Sequence, residues 1–201
     1  MSNIRLDRAL SVDFELTCWE NGVIPPGQKQ EIIQIGLTEI NIEDLSVIRT
    51  GSYYCKPKNS EVSEFCTKLT GIRPRTVKNA PYLDDVVNTL KKKWGTKSKM
   101  WFGWGNDKKM IDEEALIKNI ESPFSENYIN LSTLYSMSLG TNKKIGLKTA
   151  LKDLDIKDDG KWHNAEWDSL DAANIYISIL ANQRNFLLNN SYKEEASKFT
   201  L

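Results

Sequence analysis

From Leu6 to Cys55 the apolar residues fall in short, β-branched-rich blocks separated by turn residues. This pattern predicts a first strand over Leu6 to Phe14, inside the run Ala9-Leu10-Ser11-Val12-Asp13-Phe14-Glu15. The isoleucine-rich segment Ile32 to Ile40 predicts a second strand, and Ser46 to Cys55 a third, joined to it by a hairpin through Asn41 to Leu45. Between the first two, Cys18 to Gln30 carries Gly22, Pro25, Pro26 and Gly27 and reads as loop. The period then becomes helical. Val62 to Leu69 is a short helix stopped at Gly71, Pro74 to Asn79 another, and Tyr82 to Trp94 a longer one. That third helix places Val86, Val87 and Leu90 on one face and ends in Lys91 to Lys93, where cations suit the helix dipole. Met100 to Gly103 reads as a buried strand, Asp107 to Ile120 as a helix and Tyr128 to Leu131 as a fifth strand. Two short helices, Leu134 to Ser138 and Gly146 to Leu154, precede a long closing helix over Asn164 to Leu188. The predicted class is α/β: a mixed five-stranded sheet, an antiparallel meander followed by parallel strands, flanked by helices. Residues 1–188 form the expected domain, and 189–201 a polar tail.

Charge narrows the partners. Lys+Arg and Asp+Glu are both 27, so the net charge is zero. A uniformly basic nucleic-acid coat is excluded, while a local basic groove is not. Cys18, Cys55 and Cys66 are few, odd in number and not in a CxxC arrangement, so they read as lone thiols in a reducing compartment. Residues 1–10 carry no signal-peptide core, and no apolar run approaches the ~20 residues that span a bilayer. These features predict a cytoplasmic protein, or a nuclear one where the source cell has a nucleus, with no membrane association; a monomer or a homodimer is expected, and no sequence feature decides between them.

Candidate chemistry begins at Asp13 and Glu15. On a strand, residues i and i+2 project from one face, so both carboxylates can converge on one cation. Asp112 and Glu114 share the spacing but lie in a helical pattern, where they are expected to splay into solvent. His163 is the only histidine, and Asp168 follows it by five residues at the start of the closing helix. That placement leaves His163 partly exposed, able to act as a general base, and turns Asp168 toward the sheet. The segment Trp101-Phe102-Gly103-Trp104-Gly105-Asn106-Asp107 leads from a strand end into a helix that opens on an acid, with Asp112 the alternative acid in this stretch. Four carboxylates on three elements, with no thiolate, form a hard oxygen donor set suited to Mg²⁺ or Mn²⁺. Two such ions about 3.5–4 Å apart clamp the attacking and leaving oxygens of a phosphoryl displacement.

The motifs Ser11-Val12-Asp13-Phe14-Glu15-Leu16-Thr17-Cys18, Glu31-Ile32-Ile33-Gln34-Ile35-Gly36, Leu69-Thr70-Gly71-Ile72 and His163-x4-Asp168 resemble the DEDDh exonucleases of the ribonuclease H-like fold. Among these they are most similar to the branch that trims the 3′ ends of small RNAs and histone mRNA, and to its prokaryotic relatives. The resemblance runs from about Leu6 to Leu180. It implies ligation of two Mg²⁺ or Mn²⁺ ions by Asp13, Glu15, Asp107 and Asp168, with His163 as general base. It also implies removal of mononucleotides from single-stranded 3′ ends, RNA favoured over DNA. The backbone at Phe14 and the side chain of Leu16, with Thr17, would meet the terminal nucleotide, while Thr70, Gly71, Ile72 and Trp104 would line the groove. Leu16 stands where the trimming branch commonly has alanine. Two alternatives remain open: a single-stranded DNA exonuclease of the proofreading type, and a non-catalytic nucleic-acid-binding module on the same fold.

Basic and aromatic residues add to the picture. Lys144, Lys148 and Lys152 stand at i, i+4, i+8 on one expected helix face, extended by Lys143, and Lys91 to Lys93 with Lys97 and Lys99 make a second cluster. Either set can track a phosphate backbone. Trp104, Trp162 and Trp167 flank the expected site and offer rings on which bases stack.

Overall fold

In the computed structural model the described residues are 4–158 and 160–198, the last eight of them in backbone only. Five strands make one sheet: β1 (Arg5–Leu16), β2 (Ile32–Asn41), β3 (Val47–Tyr54), β4 (Lys99–Gly103) and β5 (Tyr128–Asn130). Their order is β3-β2-β1-β4-β5. The pairs β1–β2 and β2–β3 are antiparallel, and β1–β4 and β4–β5 parallel, which is the mixed sheet that the hydrophobic pattern predicts. Among the described residues seven α-helices follow the chain: α1 (Glu64–Thr70), α2 (Pro74–Lys78), α3 (Leu83–Trp94), α4 (Asp107–Lys118), α5 (Leu131–Ser138), α6 (Leu147–Asp153) and α7 (Ala165–Lys198).

Strand alternation divides the core. Leu10, Val12 and Phe14 of β1 join Leu37 and Trp101 against α3 and α4, through Leu83, Val86, Leu90, Trp94 and Ile111. On the opposite face Ala9, Ile40 and Phe102 pack against α5, α6 and α7, through Leu131, Tyr135, Leu151, Ala173 and Tyr176. Burying both faces is what lets the central strand β1 read as nearly continuous apolar sequence. The face that carries Ala9 also carries Asp13 and Glu15, so the period of the strand aims these acids at α7.

Most boundaries lie within two residues of the sequence reading, and two differ by more. β5 stops at Asn130 and α5 starts at once at Leu131, not at Leu134, because the Asn130 side chain caps the helix by accepting from the Thr133 amide at 2.9 Å. The closing helix does not end at Leu188. Its backbone runs to Lys198 through a segment that holds neither glycine nor proline. No helix among the described residues is long and apolar enough to cross a membrane.

Candidate active site

Three of the expected acids meet. Donor oxygens of Asp13, Glu15 and Asp168 all lie within 4.8 Å of one another. Asp13 and Glu15 come from one face of β1, and Asp168 from the first turns of α7. The close approach of these elements is set at Gly36, which pairs with Asp13 across the β1–β2 ladder. A Cβ on Gly36 would lie 1.8 Å from the Ala165 carbonyl oxygen, so only glycine lets α7 begin there. Polar contacts then fix its first turns: Gln34 Oε1 accepts from the Ala165 amide at 3.3 Å, Thr38 and Ser169 hydroxyls meet at 3.0 Å, and Ser52 Oγ donates to Glu166 at 2.9 Å.

The electrostatics of this trio are unlike those of the other buried acids. Glu39 is held by Arg49 and Lys99 at 2.6 and 2.8 Å. Glu31 and Glu114 share Lys118 at 2.8 and 3.3 Å. Among the described residues no lysine or arginine pairs with Asp13, Glu15 or Asp168. Burial, then repulsion from Asp168, pushes the Glu15 carboxyl up to about 8. Burial also raises Asp168 to about 6, against the opposing pull of the His163 imidazole and the Asn164 and His163 amides. Asp13 is driven well above the carboxylate range by burial and by its three acidic neighbours Asp107, Asp168 and Glu15. A buried group of like charges with no side-chain counter-ion is stable only when protonated or when it holds a cation. All the donors are carboxylate oxygens, so the residues fit a hard divalent ion such as Mg²⁺ or Mn²⁺.

Asp107 stands at the edge of this group. It opens α4, is buried, and is raised to about 6 by burial. A Cβ on Gly103 would lie 2.2 Å from Asp107 Oδ2, so Gly103 makes room for this carboxylate beside the sheet. Tyr128 and Asn130 brace the preceding turn, each donating to the Gly105 carbonyl at 2.6 Å, and the Tyr128 hydroxyl also reaches Asp107 Oδ2 at 3.5 Å. The alternative acid, Asp112, lies away from the trio and pairs with Lys108 at 2.6 Å. Its partner in the spacing argument corrects an expectation: Glu114 does not reach solvent. It is 6% exposed, and its carboxylate accepts from the Ile32 amide at 2.8 Å. The helical offset does splay the two acids, but one of the two directions is the core.

Asp13, Asp107, His163 and Asp168 line one cleft of about 670 Å³, with Phe14 and Trp104. His163 has φ +58°, in the left-handed region, and is exposed at the rim. Trp104 is tied back by its Nε1, which donates to the Ile145 carbonyl at 3.1 Å. Leu16 lies in an adjoining hollow of about 330 Å³ that meets the cleft at Met110. Sequence reasoning gave no individual role to Met110, Tyr128, Gly36 or Gly103. Their roles arise from contacts between elements distant along the chain.

The other expected substrate contacts lie elsewhere. Thr17 is fully buried, its hydroxyl accepting from the Glu31 amide at 2.9 Å and donating to the Lys29 carbonyl at 3.2 Å. Thr70 is likewise spent on the backbone, donating to the Cys66 carbonyl at 2.9 Å and accepting from the Ile72 amide at 3.1 Å. Ile72 is 2% exposed in a small core with Ile33, Val62, Cys66 and Val77. Gly71 ends α1 with φ +74°. None of these four lines the cleft. Of the lysine row, Lys148 and Lys152 are on α6, while Lys144 precedes the helix and so leaves the expected face.

Residues 10–176 match a family model described as Exonuclease (RNase_T). The chain is 29% identical over 180 residues to 3′-5′ exoribonuclease 1 of Homo sapiens, covering 84% of this chain and 51% of that protein. It is 27% identical over 196 residues to ERI1 exoribonuclease 3 of Bos taurus, covering 92% and 56%. The chain therefore spans about half the length of the curated relatives it matches. Among solved structures, the nuclease domain of 3′hExo, described as a DEDDh family member bound to rAMP, superposes with a TM-score of 0.76 at 28% identity, over 88% of this chain and 92% of that one. A full-length 3′-exonuclease gives a TM-score of 0.79 at 26% identity, over 88% and 83%.

Proposed function

This chain belongs to the exonuclease family, and from that premise we propose that it is a metal-dependent 3′–5′ exonuclease that removes mononucleotides from single-stranded 3′ ends, RNA in preference to DNA. The observation that carries the reading is the uncompensated trio Asp13, Glu15 and Asp168. Glu31, Glu39 and Glu114 each have a lysine or an arginine, whereas among the described residues no lysine or arginine pairs with this group, and only the His163 imidazole and two backbone amides offset Asp168. The RNA preference rests on the relatives, which are named exoribonucleases.

Asp13, Glu15 and Asp168, with Asp107 at the edge, would hold two Mg²⁺ or Mn²⁺ ions. Bound there, such ions neutralise the carboxylates and the charge that develops on the scissile phosphate. The chain supplies the rest. His163, exposed at the cleft rim, takes a proton from the attacking water. The water oxygen bonds to phosphorus, the bond to the 3′ oxygen of the preceding nucleotide breaks, and that oxygen takes a proton from solvent to become a new 3′ hydroxyl. The products are a nucleoside 5′-monophosphate and a strand one residue shorter. Trp104 forms an apolar wall against which the terminal nucleoside rests, the backbone at Phe14 runs beside it, and Leu16 with Met110 bounds the hollow beyond.

The test uses 5′-labelled single-stranded RNA and DNA of one sequence, incubated with Mg²⁺ or Mn²⁺, wild type beside Asp13→Ala. The expected result is a ladder shortening from the 3′ end, faster on RNA, dependent on the ion and absent in the variant. Retained binding with no cleavage of either strand would instead favour a binding module.

A further inference from the structure

The cations of this chain divide into two kinds. Lys91, Lys97, Lys108, Lys109 and Lys118 are each paired with a carboxylate. Lys148, Lys152 and Lys157 are exposed, and among the described residues none of them forms an ion pair. These three line a concavity of about 460 Å³ on the α6 side of the molecule. Lys148 also lines the catalytic cleft, so the two depressions adjoin at that residue. Two acids share the concavity, Asp155 and Asp158, and one carboxylate oxygen of Asp158 is already engaged with the Gly160 amide at 2.7 Å. Lys148 and Lys152 stand one turn apart on α6, about 6 Å along the axis, a rise that suits neighbouring phosphates of an extended strand. Trp162 sits where the cleft opens onto this rail, with the Lys148 ammonium 5.2 Å from its ring centroid. The rail is held to the cleft wall, because Trp104 Nε1 bonds the Ile145 carbonyl just ahead of α6.

We propose that the strand on the 5′ side of the scissile bond leaves the cleft over Trp162 and runs along α6, its phosphates on Lys148, Lys152 and Lys157. This rests on the nuclease reading and deepens it, since it assigns a direction of exit and makes long single strands better substrates than short ones. Non-directional ammonium–phosphate contacts give affinity without sequence preference, and a base on Trp162 adds stacking that any base supplies. A competing exit is offered by Lys56, Arg75 and Lys78, which also form no ion pair among the described residues. They border a cavity of about 520 Å³ that shares no lining residue with the cleft.

Two double variants separate these routes, Lys152→Ala/Lys157→Ala and Lys56→Ala/Lys78→Ala, all at partly or fully exposed positions. Binding of a labelled single-stranded RNA dodecamer is followed by anisotropy in EDTA across a salt series. The ratio of kcat/KM for the dodecamer to that for a dinucleotide is measured with Mg²⁺. For Lys152→Ala/Lys157→Ala the slope of log Kd against log salt becomes shallower by about 0.7 for each lysine removed, and the length advantage falls severalfold. The Lys56→Ala/Lys78→Ala protein keeps the wild-type slope and ratio. A wild-type slope and ratio in the first variant, or their loss in the second alone, overturns the proposal. Wild-type protein that cleaves neither substrate sinks the nuclease reading instead, while the EDTA binding slope still reports on the rail.

Discussion

Gly36 and Ala165 stand so close that no side chain fits between them: a Cβ on Gly36 would lie 1.8 Å from the Ala165 carbonyl oxygen. The contact ties the strand position opposite Asp13 to the residue three before Asp168. It therefore fixes the distance between the two acids that different elements contribute. Gly36→Ala forces α7 away from the sheet. The expected cost is on the order of 3 kcal/mol, roughly 6–12 °C in Tm for a chain of this size. Displacing Asp168 by an ångström lowers kcat by about 100-fold even in the folded fraction. Thermal denaturation and a single-turnover assay on the same preparation check both; a variant with wild-type Tm and rate means the helix approach is not set here.

Glu15→Gln separates charge from shape. The amide keeps the volume and removes a carboxyl that the metal-free fold must either keep protonated or crowd against Asp13 and Asp168, so the metal-free protein gains stability. Cleavage falls to background, and added Mg²⁺ no longer raises Tm as it does in wild type. Differential scanning calorimetry with EDTA and with Mg²⁺ reads both effects. A variant less stable than wild type in EDTA contradicts the account of the trio as mutually repelling.

The same charges set a pH dependence. Burial holds the Glu15 carboxyl near 8 and the Asp107 and Asp168 carboxyls near 6. The unfolded chain releases these protons near pH 4. Between about pH 4 and 8 the folded, metal-free protein thus binds more protons than the unfolded one, and stability falls as pH rises. The stabilising contribution is complete below pH 4 and gone above about pH 8. Mg²⁺ binds the ionised form, so saturating ion flattens the decline and releases protons on binding. Tm measured in EDTA from pH 5 to 8, then with Mg²⁺, follows this directly; a metal-free Tm that climbs across the window refutes it.

The legible part of this protein is the part governed by local periodicity. A period of two on β1 sends Leu10, Val12 and Phe14 to one face and Asp13 and Glu15 to the other, whatever the rest of the chain does. The mixed sheet follows from a hairpin and from strands separated by helices. What the sequence hides is contact between distant segments. Nothing local to Gly36 announces Ala165, and nothing local to Tyr128 announces the Gly105 carbonyl. Thr17 and Thr70 fit a motif of substrate contacts, yet their hydroxyls are used up on neighbouring backbone. Glu114 shows the same limit, since an acid in a helical pattern turns inward when a lysine four residues on can follow it.

That lysine carries its own prediction. Lys118 is buried between Glu31 and Glu114, and Lys118→Met leaves both carboxylates without a cation. Removing one partner of such a cluster costs about 3–5 kcal/mol, roughly 6–20 °C here. The exposed pair Lys109–Glu113 serves as control, since Lys109→Met barely moves Tm. Because Glu31 and Glu114 lie outside the cleft, the folded fraction of the Lys118 variant still gains stability from Mg²⁺. Equal Tm losses in the two variants would show that the buried cluster is not a net support of the fold.

His163 holds an unusual backbone for a side chain of its size, with φ +58° just ahead of α7. Histidine, asparagine and aspartate tolerate this region better than most residues, so the substitution must respect it. His163→Asn keeps the backbone preference and removes the imidazole. The variant is expected to fold with wild-type Tm and to keep the Mg²⁺-induced rise in Tm, because the carboxylates are intact. Its single-turnover rate should drop by about 100- to 10,000-fold, the usual range for a lost general base. His163→Ala should add a loss of stability from strained backbone that His163→Asn does not show. Cleavage by His163→Asn at the wild-type rate removes the imidazole from the reaction. A lost Mg²⁺ response would instead mean that His163 positions Asp168 rather than moves a proton.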